Sequence, residues 1–175
     1  GAVTNNPITG VNTIAGNSDA LFVRLSSAGA VVNSFRYNIH NGTDIGWCIR
    51  KSAVLVNNQP TWILCGESKH GNNYTDCFVA RVFANGNVVW LNRYNFDPPG
   101  GMFNTAHCIA KQICEDPAGN IYGVGTLQDQ PAAANGIDGL AFKLNPAGAV
   151  IWASNYHADT DDEFQAVRLT ADNNL

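Results

Sequence analysis

Charge is the scarcest ingredient of this chain. Only 14% of its 175 residues are Asp, Glu, Lys or Arg, against roughly a quarter in an average globular domain. Ten basic against fourteen acidic residues leave a formal net charge of −4. No basic stripe exists to displace counterions from phosphates, which excludes nucleic acid as a partner. No apolar run approaches the roughly 20 residues that cross a bilayer as a helix, so membrane insertion is not expected. A basic segment leading into an apolar stretch, the mark of a signal peptide, is missing from the start. The chain opens at Gly1 rather than Met, which reads as a processed protein or a piece of a longer one. Helical periodicity is missing throughout. So are H-E-x-x-H, G-x-S-x-G and any phosphate-cradling glycine loop. Hydrophobic residues at 45% nevertheless supply a sizeable core and argue against disorder.

What is present is a repeat. Three segments align without gaps: DALFVRLSSAGAVVNSFRYN from Asp19, DCFVARVFANGNVVWLNRYN from Asp76 and DGLAFKLNPAGAVIWASNYH from Asp138, spaced 57 and 62 residues apart. Each starts at an Asp and alternates apolar residues through Phe22, Phe78 and Phe142. Each then places a basic residue (Arg24, Arg81, Lys143), a glycine (Gly29, Gly86, Gly148) and a closing tyrosine (Tyr37, Tyr94, Tyr156). Alternation bounded by Asp, Asn, Gly and Pro predicts two strands around a tight turn, with the glycine supplying positive φ. A second hairpin is predicted between these units. It comprises Ala110–Cys114 and Ile121–Gly125 around the turn 116–120, and in the preceding repeat Lys51–Val56 and Trp62–Gly66 around 57–60. One repeat is therefore four antiparallel strands over about 60 residues, which predicts an all-β chain of β-propeller blades.

The pattern D-x-F-V-x-K-L-x-x-x-G-x-V-x-W, with I-x-x-D-x-x-G-N-x-Y-x-x-G, resembles the SBBP-type β-propeller repeats of bacterial secreted and surface proteins. The likeness is strongest at Ile113–Gly125 with Asp138–Tyr156. It implies a propeller acting as a binding or structural module, secreted or at the cell surface, and says little about activity. The pairs Gly86/Trp90 and Gly148/Trp152 are also similar to the tryptophan-docking turns of quinoprotein propellers; the first repeat departs from this, with Asn33 in place of the Trp.

Residues 1–45, 46–104 and 105–163 form the three repeats, with 164–175 aligning on 110–121 as the first strand of a further blade. This gives about three blades' worth, starting and ending within a blade, and rings close with typically four to eight. The expected partners are therefore the remaining blades of a longer chain or other copies of this one, with a glycan or surface protein as further possibilities.

Few residues carry candidate chemistry. The repeated Asp19, Asp76 and Asp138 read as structural caps, and Trp90, Trp152, Phe78 and Phe142 as core. Asp159, Asp161, Asp162 and Glu163 form an oxygen-rich loop that suits Ca²⁺, the one cofactor in view, although the twelve-residue calcium-loop pattern is absent. Asp162 aligns with Asp44, pointing to a shared structural role. His40, His70, His107 and His157 are scattered, and His107-Cys108 reads as a strand pair rather than a nucleophile and its base. Five cysteines show no zinc spacing. Cys65 and Cys77, expected on neighbouring strands, are the candidate disulfide. Asn41 and Asn73 head glycosylation sequons. No catalytic constellation stands out. The function expected is a non-enzymatic extracellular binding or assembly module. Two alternatives are a carbohydrate-binding module using Tyr74, Phe96 and Phe103, and a fragment of a quinoprotein-like propeller enzyme.

Overall fold

The computed structural model describes residues 18–40, 42–70, 74–96, 107–128, 136–158, 160–172 and 174–175. Ten strands and no helix occur among them: β1 (Ala20–Leu25), β2 (Val31–Tyr37), β3 (Asp44–Val56), β4 (Gln59–His70), β5 (Tyr74–Phe83), β6 (Val88–Tyr94), β7 (His107–Glu115), β8 (Ile121–Gln128), β9 (Asp138–Leu144) and β10 (Val150–Tyr156). The chain is all-β, as its alternation requires.

Turn chemistry fixes where strands reverse. The hairpins β1–β2, β5–β6 and β9–β10 share one five-residue turn, in which Ser26, Phe83 and Asn145 N–H donate to the carbonyls of Ala30, Asn87 and Ala149 at 2.8–2.9 Å. Gly29, Gly86 and Gly148 hold φ of 80°, 83° and 83° there, a region closed to most side chains. The predicted turn glycines are thus the observed ones. The β3–β4 turn is tighter than the 57–60 predicted. Asn57 and Asn58, both left-handed at φ 50° and 59°, alone separate the paired Val56 and Gln59, because asparagine tolerates this region and a two-residue turn there matches strand twist.

Strands β3-β4-β5-β6 and β7-β8-β9-β10 form two antiparallel four-stranded meanders. They join into one eight-stranded sheet through a single parallel pairing, Thr75 of β5 with His107 of β7, while β1–β2 stands as a separate hairpin. Neither sheet closes on itself. Residues 164–175, expected to be the first strand of a further blade, take no ladder pairing among the described residues, although Phe164 N–H donates to Gly125 O of β8 at 3.2 Å. The turn within them does follow the repeat: Thr170 N–H donates to Asn174 O at 2.9 Å, as Asp116 N–H does to Asn120 O at 3.0 Å.

Three apolar layers hold these pieces face to face. Ala20, Phe22 and Tyr37 pack on Leu64, Phe78, Ala80 and Val82, joining the hairpin to the first meander. Ile63, Cys65, Cys77 and Val79 pack on Ile113, Leu140, Phe142 and Leu144, joining the two meanders. Val124 and Ala141 cover Val167 beyond the second. Strand β5 is buried on both faces from Thr75 to Val82, which accounts for the low charge of the sequence: strands covered on both sides carry apolar residues at successive positions.

Candidate assembly interface

The seams between units carry the most specific chemistry of the molecule. At the seam between hairpin and first meander, the Tyr37 hydroxyl donates to the Gly86 carbonyl at 3.0 Å. At the seam between meanders, the Tyr94 hydroxyl donates to the Gly148 carbonyl at 2.7 Å. Burial raises both phenols, that of Tyr37 to about 12, so they remain donors throughout the physiological range. Beneath each glycine lies an aromatic ring. A Cβ on Gly86 would meet the Phe35 ring at 2.2 Å, and one on Gly148 would meet Trp90 at 3.0 Å. Trp90 also donates from Nε1 to the Pro146 carbonyl at 3.2 Å. The positive-φ turns of the second and third units are therefore the sockets for the aromatic strands of the units before them.

A buried ion pair crosses the second seam. Arg81 of β5 contacts Glu115 at the end of β7, Nη2 to Oε1, at 2.7 Å, with both side chains almost wholly enclosed. Arg81 Nη1 reaches Ser52 and Thr61. Glu115 Oε2 accepts from Ser52 Oγ at 2.8 Å and Ala53 N–H at 2.7 Å, and the Arg81 guanidinium lies 6.0 Å from the Trp90 ring centroid. The sequence marks position 81 as a recurring basic residue, but its partner 34 residues on has no counterpart in the repeat. Contact of that kind is invisible to periodicity.

The same seam carries the disulfide, and here the expectation is overturned. Cys77 bonds Cys108, linking β5 to β7, while Cys65 is a free thiol. In the β4–β5 ladder Cys77 faces Glu67 and Cys65 faces Val79. Cys65 and Cys77 are thus a diagonal pair, roughly 7–8 Å apart, beyond the reach of a disulfide. Its actual ladder neighbour across β3 is Cys48. Hydrogen bonding to Cys65, opposed by burial and helped by the Ile113 backbone and Arg50, lowers the Cys48 thiol to about 6. Burial raises that of Cys65, whose Sγ donates to the Ala110 carbonyl at 3.3 Å.

Most of the remaining sequence candidates that are described hold structural contacts. Asp19 pairs with Arg36 at 3.5 Å and Asp76 with Arg93 at 3.4 Å. Asp138 accepts from Asn155 Nδ2 at 2.8 Å and lies 2.9 Å from His157 Nδ1. The repeated aspartate therefore ties the start of one strand to the end of the next, which refines its capping role. Asp162 Oδ2 accepts from Ala158 N–H at 2.6 Å, just as Asp44 Oδ2 accepts from Ile39 N–H at 2.8 Å; the shared role holds. Asp161 accepts from Ile137 N–H at 3.0 Å, and Glu163 pairs with Lys111. Asp159 lies outside the described residues. No group of three potential ligands able to hold a metal occurs among the described residues. Asn41, Asn73 and Phe103 also fall outside the described residues. Phe96, half-buried just after β6, is stacked between Tyr94 at 5.6 Å and Phe142 at 5.0 Å across the seam. Tyr74 is half-buried beside His107, the ring centroids 6.4 Å apart. Burial and Lys69 lower His107, whose neighbour Cys108 has spent its sulfur in the disulfide, so no Cys/His nucleophile forms.

No protein-family model matches the chain, and no curated protein matches it.

Proposed function

We propose that this protein is a non-enzymatic assembly and binding module built from propeller-type blades, similar to SBBP repeats and working outside the cell. The carrying observation is the repeated seam, in which the tyrosine of one unit donates to the turn glycine of the next at both junctions. Such a seam is a stacking rule: every unit offers a socket on one face and an aromatic strand on the other. The two meanders are the blades of this reading, and β1–β2 with residues 164–175 are parts of blades completed by further units. Open sheet edges and open faces favour completion by the same kind of partner. The recurring aspartates serve strand ends, and Tyr37 and Tyr94 serve seams, which supports a structural repeat.

Light scattering on the purified chain tests this. Concentration-dependent assembly above the 18.7 kDa of one chain is expected. A stable particle that stays at that mass at every concentration overturns the assembly reading.

A further inference from the structure

Three equivalent tyrosines end the three repeats, and two of them are used. Tyr37 and Tyr94 are each 8% exposed beneath the turn of the following unit; Tyr156 is 51% exposed, and its hydroxyl has no hydrogen-bond partner among the described residues. Its ring meets that of Phe164 edge-on at 5.4 Å. Three equivalent glycines form the sockets, and again two are used. A Cβ added to Gly86 or Gly148 collides with an aromatic ring, whereas one on Gly29 meets nothing within 4 Å.

The apolar faces around these groups divide in the same way. Phe78 and Val82 of β5, and Leu140 and Leu144 of β9, are all at most 1% exposed against the preceding unit. Their equivalents in β1 are Leu21 and Leu25, exposed by 45% and 56%. So the first unit presents, uncovered, the surface with which the second and third receive a neighbour. The third presents, uncovered, the aromatic strand that such a surface receives. Beside Tyr156 the seam has already begun to form: Val167 is buried on Val124 and Ala141, and its N–H donates to Gln112 Oε1 at 2.6 Å.

We infer that the β10 face of one copy docks on the β1–β2 face of a second copy, Tyr156 donating to the Gly29 carbonyl. This rests on the assembly reading above and names its partner. A second copy is the occupant because this chain itself carries both halves of the contact, each already used internally in the same form. The contact is heterologous: it joins unlike surfaces and so propagates into a ring or a filament.

Two charged or truncating changes on exposed positions test it, Leu25→Asp on the receiving face and Tyr156→Ala on the donating face, with circular dichroism checking that each keeps the fold. Each variant alone is expected to be monomeric by light scattering, because every contact would contain one damaged half. An equimolar mixture is expected to recover a dimer, since the intact β10 face of the Leu25→Asp copy meets the intact β1–β2 face of the Tyr156→Ala copy. Tyr156→Phe, which loses only the hydroxyl, is expected to weaken association about 2- to 10-fold. Assembly by the Leu25→Asp variant at wild-type strength, or no recovery on mixing, overturns this contact while leaving the assembly reading intact. A wild-type chain that never assembles overturns both.

Discussion

Arg81 and Glu115 show how much a single buried pair can decide. Removing one partner strands a charge where water cannot reach it, and such losses cost about 3–5 kcal/mol. Arg81→Met is therefore expected to destabilise the fold by that amount in urea titration, while the double variant Arg81→Met/Glu115→Leu recovers most of it. Cys48 offers a second test at this scale. With its thiol lowered to about 6, alkylation of Cys48 followed by mass spectrometry is expected to reach half its limiting rate near pH 6. Cys65→Ala moves that midpoint upward, because it removes the largest cause of the shift. The sign of the stability effect follows. Between about pH 6 and the ordinary thiol value near 9, the unfolded chain holds a proton that the folded one has released. Stability from Cys48 therefore rises with pH across that window and is lost as pH falls through 6. Cys65, raised by burial, works the other way, and only above the ordinary thiol range. A flat stability profile from pH 6 to 8.5 would refute the Cys48 assignment.

At the scale of strands and turns, Asn58 sits at φ 59°, so Asn58→Gly is expected to be neutral or stabilising and Asn58→Val to cost about 1–2 kcal/mol, read as a shift in thermal midpoint. The Cys77–Cys108 bond closes a loop of 31 residues. Chain-entropy arithmetic then puts the loss in a Cys77→Ala/Cys108→Ala variant at about 3–4 kcal/mol, to be measured against wild type under oxidising and reducing conditions. These elements also show what a sequence discloses. Turn glycines, strand alternation and the Asp44–Asp162 correspondence are local or periodic signals, so Gly29, Gly86 and Gly148 could be placed from spacing alone. The disulfide partner, the Arg81–Glu115 pair and the stacking of Phe96 were not legible, because each joins one unit to the next. Cys77 and Cys108 occupy different strands of different repeats, and nothing in the spacing along the chain says which faces meet. The pairing Cys65–Cys77 fails for a related reason: adjacency of strands does not fix register, and a two-residue offset separates the sulfurs.

For the whole molecule, low charge and repeated seams describe one economy. Units covered on both faces need few ionised residues; among the described residues Asp19, Asp76 and Asp138 serve strand ends, and Arg81 and Glu115 form an ion pair with both partners buried. The same arrangement leaves the two outermost faces unmatched, with Leu21 and Leu25 on one and Tyr156 on the other. It also makes the two internal junctions unequal. Both have a tyrosine hydroxyl on a turn carbonyl, but only the second has a covalent staple. Under a pulling force this becomes a mechanical hierarchy: the β1–β2 hairpin peels away first, while the stapled pair of meanders bears load as one block. Between Cys77 and Cys108 the bond hides a length of chain from extension, roughly 100 Å when fully stretched, which a reductant would release.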